Sequence, residues 1–456
     1  MAEKTITIES TLAALVEAKK YATLRDILVT MNPADVAAVF EELDEAALPL
    51  LFRLLPKELA AETFVEMESE SQELLIRGFS DTELKEVVDE LYVDDAVDLV
   101  EEMPANVVKR ILRQTDPEMR RMINEILKYP EDSAGSIMTT EFVYLRPQMT
   151  VEEAEKRIRR TGVDKETINT CYVTDKGQLI GVVTIRMLIL SEHDDVISDI
   201  METDVISVTT SEDQESVAQM FSKYNFSALP VVDTENRLVG IVTVDDAIDV
   251  MEEETTEDME KMAGMAPSEH SYMRAGVFET WRARFPWLLM LMLSATLTSL
   301  VINSFEAQLA ACIVLSSFIP MLSGTGGNSG TQASVAVIRA LALDEVDFSD
   351  IGAVMWKELR VSLLCGTALA AANFLKMLLV DILWLNDGVT VSVAAVVCIT
   401  LICVVVLAKL VGCSLPILAK KLGFDPAVMA SPFITTIVDV LSLLIYFRVA
   451  VLILGL

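Results

Sequence analysis

Carboxylates are the side chains whose placement in this sequence could do chemistry, and Asp439 is the most unusual of them. It lies in the last apolar run of the chain, where an ionised carboxylate costs about 2.5–3.5 kcal/mol on insertion scales. We expect it to face a cavity or a cation, and the alternative of a packed or snorkelling acid without a role in transport stays open. Together with nearby hydroxyl and backbone oxygens, it would form a ligand set for a hard cation.

A second group of carboxylates lies in residues 245–262, which hold nine Asp and Glu residues and one base, Lys261. On a helix, like charges three or four positions apart cost about 0.2–0.5 kcal/mol per pair. The acids at these spacings are Asp246 and Asp249, and then Glu254, Glu257 and Asp258. Divalent cations would compact this helix and their loss would release it, which predicts feedback gating.

A third group comprises Asp94, Asp95 and Asp98, within residues 1–130. Acids at this spacing usually form a solvated helix face, and that interpretation stays open beside cation binding. Apolar residues recur every three or four positions between the prolines of this region, which predicts short amphipathic helices.

The excess of acids is confined to one half of the chain. The sequence has 456 residues, a net charge of −33 and a mean hydropathy of +0.42. From Ser271 onward it has 11 acids and 11 bases, so the first 270 residues carry the whole net charge. This predicts an acidic soluble half that binds cations, whereas nucleic acid or an anionic lipid surface would require a basic face.

Other kinds of chemistry lack their residues. There are two histidines, His193 and His270, and six cysteines without a CxxC motif, so neither a zinc cluster nor a Cys–His nucleophile is expected. No nucleophile, base and orienting residue group together, and we expect no enzyme. The first residues, MAEKTITIES, are not typical of a signal peptide, which predicts a cytosolic location for the acidic half.

Apolar runs in the second half predict five membrane-spanning helices, at about 20 residues per span. They lie near residues 286–304, 307–339, 360–384, 391–418 and 428–456. Lys and Arg residues precede the first span and separate the second from the third, and Lys409, Lys420 and Lys421 lie in or just after the inner end of the fourth. This distribution predicts a cytosolic N-terminus and an outside C-terminus.

The second span contains the Gly-rich segment 323–332, which predicts a break in the helix at membrane depth. Such a segment alone more often serves helix packing, but beside a buried Asp it indicates an ion path. One carboxylate is little charge for a divalent ion, so we expect a C2 dimer that brings two copies of Asp439 together. Mg²⁺, which keeps its waters and binds one or two carboxylates, suits such a site.

Residues 132–254 contain an internal repeat, each copy of which predicts a strand, a helix, two strands and a helix. The aligned segments are Met138–Glu141 with Met201–Asp204, and Tyr172–Thr184 with Val231–Thr243. This resembles a tandem CBS pair, a module that commonly senses adenine nucleotides. The nucleotide pattern is complete in the second copy, as Gly240, Thr243 and Asp246, but Met187 takes the place of Asp in the first. Two alternatives stay open: ATP binds at Thr243 and Asp246, or it does not bind there.

The order of these parts resembles the MgtE family of magnesium channels, over essentially the whole chain. The motifs that carry the resemblance are Pro320, Gly324–Gln332 and Arg339–Ala342, and then Asp425–Ala427, Pro432, Thr435, Thr436, Asp439 and Tyr446. It implies a multidomain fold. The implied parts are an all-α superhelical N-terminal domain at 1–131, an α/β tandem CBS pair at 132–244, an acidic plug helix at 245–273 and an α-helical membrane domain of five transmembrane helices at 274–456.

The resemblance also implies which residues bind ions. In the membrane domain, Asp439 would hold hydrated Mg²⁺, with Ser431, Thr435 and Asn328 as pore contacts; the family often has Asn in place of Ser431. Regulatory Mg²⁺ is implied at Asp246, Asp249, Glu254, Glu257 and Asp258, with Asp425 near the plug. Asp94, Asp95 and Asp98 match an acidic patch that meets the CBS pair through metal ions.

We therefore expect a homodimeric, multi-pass protein of the cell (inner) membrane that takes up Mg²⁺ and closes when cytosolic Mg²⁺ binds. One alternative is transport of Co²⁺, Mn²⁺ or Ca²⁺, or export of Mg²⁺. Another is a membrane-anchored CBS nucleotide sensor, in which the spans only anchor or dimerise the chain. Ion flux with competing ions, and nucleotide titration, distinguish these alternatives.

Overall fold

The computed structural model describes residues 8–41, 43, 47–268, 272, 275–343, 345–382, 389–429 and 431–455. The chain divides into two compact units, one that ends at Glu252 and one that begins at Glu253. Parts of the predicted segments lie outside the described residues: 1–7, 42 and 44–46 of the N-terminal domain, 269–271 and 273 of the plug, 274 of the membrane domain, 383–384 of the third span, and 430 and 456 of the last.

The described residues of the first unit begin with ten short helices, which confirm the amphipathic pattern. They are α1 Ile8–Glu17, α2 Tyr21–Leu28, α3 Pro33–Glu41, α4 Leu48–Phe52, α5 Lys57–Val65, α6 Ser69–Gly78, α7 Asp81–Val88, α8 Val93–Glu102, α9 Ala105–Gln114 and α10 Pro117–Ile126. Pro33 and Pro117 each begin a helix, where the missing N–H breaks no helical hydrogen bond. The apolar faces share one core, which includes Val36, Leu75 and Val97.

The predicted repeat is confirmed as two three-stranded sheets with helices. The first copy contains β1 Tyr144–Leu145, α11 Val151–Thr161, β2 Thr170–Asp175, β3 Gln178–Thr184 and α12 Ile185–Leu190. After α13 Ile197–Ile200, the second contains β4 Val208–Thr209, α14 Gln214–Tyr224, β5 Ala228–Val232, β6 Leu238–Thr243 and α15 Val244–Met262. In each sheet the first strand is parallel to the second, and the second is antiparallel to the third.

Local sequence signals begin the helices of the repeat. Thr150 and Glu153 form a capping box at α11, and Asp213 accepts hydrogen bonds from the first backbone N–H groups of α14. The last helix, α15, begins directly after β6, so the second repeat places the first acids of residues 245–262 at the edge of its own sheet.

After the end of α15, the described part of the second unit consists mainly of five long helices and one short one, α17. They are α16 Val277–Ser304, α17 Glu306–Ala311, α18 Ile319–Ala342, α19 Ile351–Lys376, α20 Val391–Lys421 and α21 Ser431–Leu454. By length and composition, the segments Val277–Ser304, Phe348–Ile382, Val391–Lys421 and Ala427–Leu454 could cross a membrane. The Gly- and Ser-rich α18 is less apolar, yet its 24 residues extend about 36 Å and it packs against α20 and α21.

The prediction of a helix break in the Gly-rich segment was wrong. Residues 323–332 are helical within α18, and the irregular backbone lies earlier, in the 3₁₀ turn Ile313–Phe318. The glycines serve close packing instead: a Cβ on Gly326 would lie 2.7 Å from Val404 of α20 and 2.9 Å from Val438 of α21. An α-helix that satisfies its own backbone is cheaper in an apolar surrounding than an open segment, which explains the difference.

Candidate cation pathway and acid clusters

Asp439 of α21 and Ser323 of α18 form the polar contact in the middle of the second unit. The Ser323 hydroxyl donates a hydrogen bond to a carboxylate oxygen of Asp439, and both residues are half-buried. The glycines of α18 allow this contact, because a side chain at Gly330 would lie 2.6 Å from Ile434 of α21. The close approach of α18 and α21 therefore places one carboxylate and one hydroxyl together among apolar helices.

The other predicted pore residues lie near this contact but in different surroundings. Thr435 is half-buried and lies against Gly327, where an added Cβ would be 3.2 Å from its methyl group. Asn328 follows Gly327 on the exposed face of α18. Ser431 begins α21, and its side chain lies outside the described residues. The predicted set is thus arranged along two facing helices.

In the first unit, the predicted acids of α8 face the start of α15. Asp94 is 6% exposed, and burial raises its pKa well above the usual range, with the charge of Asp246 as the next cause. Burial, followed by Asp246, also raises the pKa of Asp95 to about 7 and that of Asp98 to about 8. The structure therefore brings together acids that lie far apart in the sequence.

Asp246 belongs to the same cluster and also to the predicted nucleotide pattern. Burial raises its pKa to about 6, while a 2.5 Å hydrogen bond from the Thr243 hydroxyl opposes that shift. Asp249, one turn later, has a raised pKa because of burial and then the charge of Asp245. In the first repeat, Thr184 instead accepts a hydrogen bond from the backbone N–H of Met187.

The later part of α15 lies beside Asp425, in the segment before α21. Glu254, Glu257, Asp258 and Lys261 share the less exposed face of the helix. The Lys261 ammonium lies 2.7 Å from Glu257 and 2.8 Å from Asp425. Burial, followed by the charge of Asp425, raises the pKa of Asp258. Three predicted ligands, Glu257, Asp258 and Asp425, are therefore neighbours.

Comparisons with known proteins match most of the chain. The MgtE intracellular N domain model matches residues 31–132, the CBS domain model matches 134–193 and 197–253, and a model described as a divalent cation transporter matches 319–449. The magnesium transporter MgtE of Thermus thermophilus is 39% identical over 94% of both chains. The protein of the same name from Bacillus subtilis is 32% identical, also over 94% of both. The chain belongs to the MgtE family.

Solved structures of the family match the first unit. A cytosolic domain of the Mg²⁺ channel MgtE in complex with ATP is 38% identical and covers 53% of this chain and 100% of its own, with a TM-score of 0.51. The soluble part of a magnesium transporter is 32% identical and covers 54% of this chain and 97% of its own, with a TM-score of 0.50. Together with the apolar helices, this makes the chain a membrane protein of the MgtE family with cytosolic domains.

The oxygen ligands of the first unit suit the hard cations of this family. Asp94 Oδ1 and Glu166 Oε2 are buried side-chain atoms without a hydrogen-bond partner among the described residues. Carboxylate oxygens left in that state are the ligands that Mg²⁺ prefers. In the same described part of the chain, no three His, Cys, Asp or Glu residues converge into a preformed metal site.

Two acids of this cluster were missed by the sequence analysis. Burial, then Asp95, raises the pKa of Glu166 to about 8, and Glu141 accepts a hydrogen bond from the backbone N–H of Val93 at 3.2 Å. Each is a single acid between unrelated residues, so no spacing pattern marked it. Their positions beside α8 follow only from the packing of the repeat against the helices.

A buried ion pair in the second unit was also missed. Lys409 of α20 lies 3.7 Å from Glu358 of α19, and their side chains are 8% and 14% exposed. Lys409 was expected only as one of the positive charges near the inner end of a span. The structure places it inside the helix packing, where a base is stable when it has an acid as partner.

Proposed function

We propose that this chain forms a pore for Mg²⁺ uptake at Asp439 and closes it when cytosolic Mg²⁺ binds the acid clusters. As a member of the MgtE family, the chain transports Mg²⁺. The observation that carries the location of the pore is the half-buried Asp439, hydrogen-bonded to Ser323 among apolar helices. An ionised carboxylate among apolar helices is energetically unfavourable unless a cation binds it.

The pore is formed by two copies of the chain. One Asp439 supplies a single negative charge, whereas two across a twofold axis match the charge of Mg²⁺. The hydroxyl of Ser323 and the exposed Asn328 offer hydrogen bonds to the waters that Mg²⁺ keeps. We place the C-terminus outside. The membrane potential favours inward movement of a divalent cation by about 4.6 kcal/mol per 100 mV.

Regulation follows from the electrostatics of the acid clusters. Keeping Asp95, Asp98 and Asp246 ionised in the assembled cluster at neutral pH is unfavourable, because burial first, and then the charges of neighbouring acids, raise their pKa values. A bound Mg²⁺ removes that cost only while the acids are close. Cytosolic Mg²⁺ therefore stabilises the assembled arrangement, and its loss releases α8 from α15.

The CBS pair offers a second ligand. A solved relative of this region is described as a complex with ATP, and the Thr243–Asp246 pair completes the nucleotide pattern of the second repeat. We propose that ATP binds there. Because Asp246 also belongs to the acid cluster, nucleotide binding would alter the response to Mg²⁺, which a titration of ATP at low and high Mg²⁺ would detect.

Flux into vesicles tests the pore. We expect Asp439→Ala to abolish Mg²⁺ uptake while the protein still assembles as a dimer. Glu345→Gln, which removes an exposed acid from the same unit, is the matched control and should transport normally. Uptake by Asp439→Ala at the normal rate would refute the pore assignment. Competition by Co²⁺, Mn²⁺ and Ca²⁺ in the same assay separates magnesium uptake from transport of another cation.

A further inference from the structure

Lys261 is the one basic residue among the acids of residues 245–262, and it points its charge at two of the carboxylates expected to bind regulatory Mg²⁺. Its ammonium lies 2.7 Å from Glu257 Oε1 and 2.8 Å from Asp425 Oδ2. The Lys261 side chain is only 22% exposed. It therefore differs from the solvated lysines of the chain, such as Lys156, which pairs with Glu152 at the same 2.7 Å but is 67% exposed.

Both oxygens of Asp425 already have partners. Oδ2 accepts from Lys261, and Oδ1 accepts the backbone N–H of Ala427 at 2.7 Å. The second bond holds the carboxylate at the turn before α21. Lys261 thus connects α15 to a carboxylate whose position the membrane unit itself determines.

The end of α15 reaches this position through a close backbone approach. Gly264 ends the helix with a φ of +73°, a conformation that favours glycine, and a Cβ there would lie 2.8 Å from Pro432. Glu260 accepts a hydrogen bond from the backbone N–H of Ser268 at 2.9 Å. The contact is therefore built from packing and hydrogen bonds as well as from charge, and none of these needs a metal ion.

We propose that Lys261 is a tethered cation that holds the connecting helix α15 against Asp425 in the absence of Mg²⁺. The proposal rests on the gating by Mg²⁺ proposed above and names a part of it that is independent of metal. An ion that binds Glu257 and Asp425 must displace the ammonium from both. Lys261 therefore sets how far the helix is already docked before Mg²⁺ arrives.

Thermodynamic linkage gives this proposal a distinct signature. Removal of the ammonium weakens docking in the metal-free protein, and it also removes the competitor of Mg²⁺. The two effects offset each other once Mg²⁺ occupies the carboxylates. A variant without the charge should thus differ from the wild type in EDTA and resemble it at saturating Mg²⁺.

Hydrogen–deuterium exchange of the full-length protein in nanodiscs measures docking without reference to transport. In EDTA, we expect Lys261→Met to increase exchange in peptides covering 256–268 by at least about threefold, the size expected of a partly exposed ion pair. Saturating Mg²⁺ should return it to the wild-type value. Lys261→Arg should keep the protection in EDTA, and Lys156→Met, which breaks a solvated pair, should change nothing in this segment.

A second variant, which changes the other partner of the ion pair, tests the same contact without the Lys261→Met substitution. Asp425→Asn retains an oxygen to accept from Ala427 but loses the charge opposite Lys261, so it should raise exchange in EDTA as Lys261→Met does. The double variant should add little to either single change.

Wild-type exchange by Lys261→Met in EDTA would overturn the tethered cation, as would full additivity of the two changes. Failure of the proposed gating gives a different result. In that case Mg²⁺ would leave the exchange of the wild type unchanged, whatever Lys261→Met does in EDTA.

Discussion

Two acids of the second unit, Glu358 and Asp381, have bases as partners, whereas the buried acids of α8 in the first unit have other acids as neighbours. Lys409 lies beside Glu358, and Lys376 donates two hydrogen bonds to Asp381, at 2.8 and 3.0 Å. In the first unit, the charges that act on Asp98 are those of other acids. Glu358 and Asp381 have a counter-charge within the protein, whereas the binding of a cation by the acid cluster is the proposal that the predictions below test.

The largest expected effect concerns the buried ion pair of Glu358 and Lys409. Glu358→Gln or Lys409→Met leaves one charge buried without its partner, which should lower the free energy of unfolding by about 3–5 kcal/mol. Thermal unfolding in detergent measures this. The double variant removes both charges and should be more stable than either single variant. If the single variants unfold at the wild-type temperature, the pair does not stabilise the second unit, and the contrast with the acids of the first unit is wrong.

The next effect is a pH dependence of the metal-free acid cluster. The folded pKa values, about 7 for Asp95 and about 8 for Asp98, lie above the unfolded value of 3.8. A raised carboxyl pKa contributes stability in full below the unfolded value and loses it as the pH rises through the folded value. In EDTA, the contact of α8 with α15 should therefore become weaker as the pH rises from about 5 to about 8. The expected loss is on the order of 3 kcal/mol.

Exchange protection factors for peptides of α8, which correct for the intrinsic effect of pH, measure this loss. Mg²⁺ at pH 8 should restore the protection, since it replaces the protons as counter-charge. Peptides of α5, whose buried Phe64 lies in the apolar core, serve as the internal control. Equal protection of α8 at both pH values in EDTA would show that the acids do not repel one another in the folded protein.

A smaller effect is expected at the second acidic contact, where Lys261 already supplies a positive charge. Replacement of Glu254, Glu257 and Asp258 by Ala should raise the internal Mg²⁺ concentration that half-inhibits uptake by about tenfold, which corresponds to about 1.4 kcal/mol of coupling. Uptake by vesicles loaded with graded Mg²⁺ is the assay. Unchanged inhibition would leave these acids as a solvated surface.

The regular elements could be predicted because each depends on residues close in the sequence. The strand and helix pattern of the two repeats and the apolar runs of the spans are of this kind. Family resemblance supplied Asp94 as an acid near the CBS pair, but Glu166 has no local signal and lies in the cluster only because the chain folds back. The contact of Lys261 with Asp425 likewise joins distant segments, which no periodicity could bring together.

One error of prediction and one omission depend on how the helices pack. Glycine permits an irregular backbone in water, so segment 323–332 suggested a break, but between apolar helices the same residues allow close packing. Lys409 was predicted in or just after the inner end of the fourth span, and no partner was predicted for it. Its burial became acceptable only through Glu358, whose position depends on how α19 and α20 pack.

The most direct measurement of the central claim is uptake of Mg²⁺ into vesicles, at graded internal Mg²⁺, by a variant in which Asp95, Asp98 and Asp246 are all replaced by Asn. The account predicts that uptake no longer responds to internal Mg²⁺. Without the three charges, the contact of α8 with α15 forms without the ion, so the rate should be low and equal at all internal concentrations. Uptake at the wild-type rate at low internal Mg²⁺, with inhibition at the wild-type concentration, would contradict the division between an acid cluster that senses the ion and a carboxylate that conducts it.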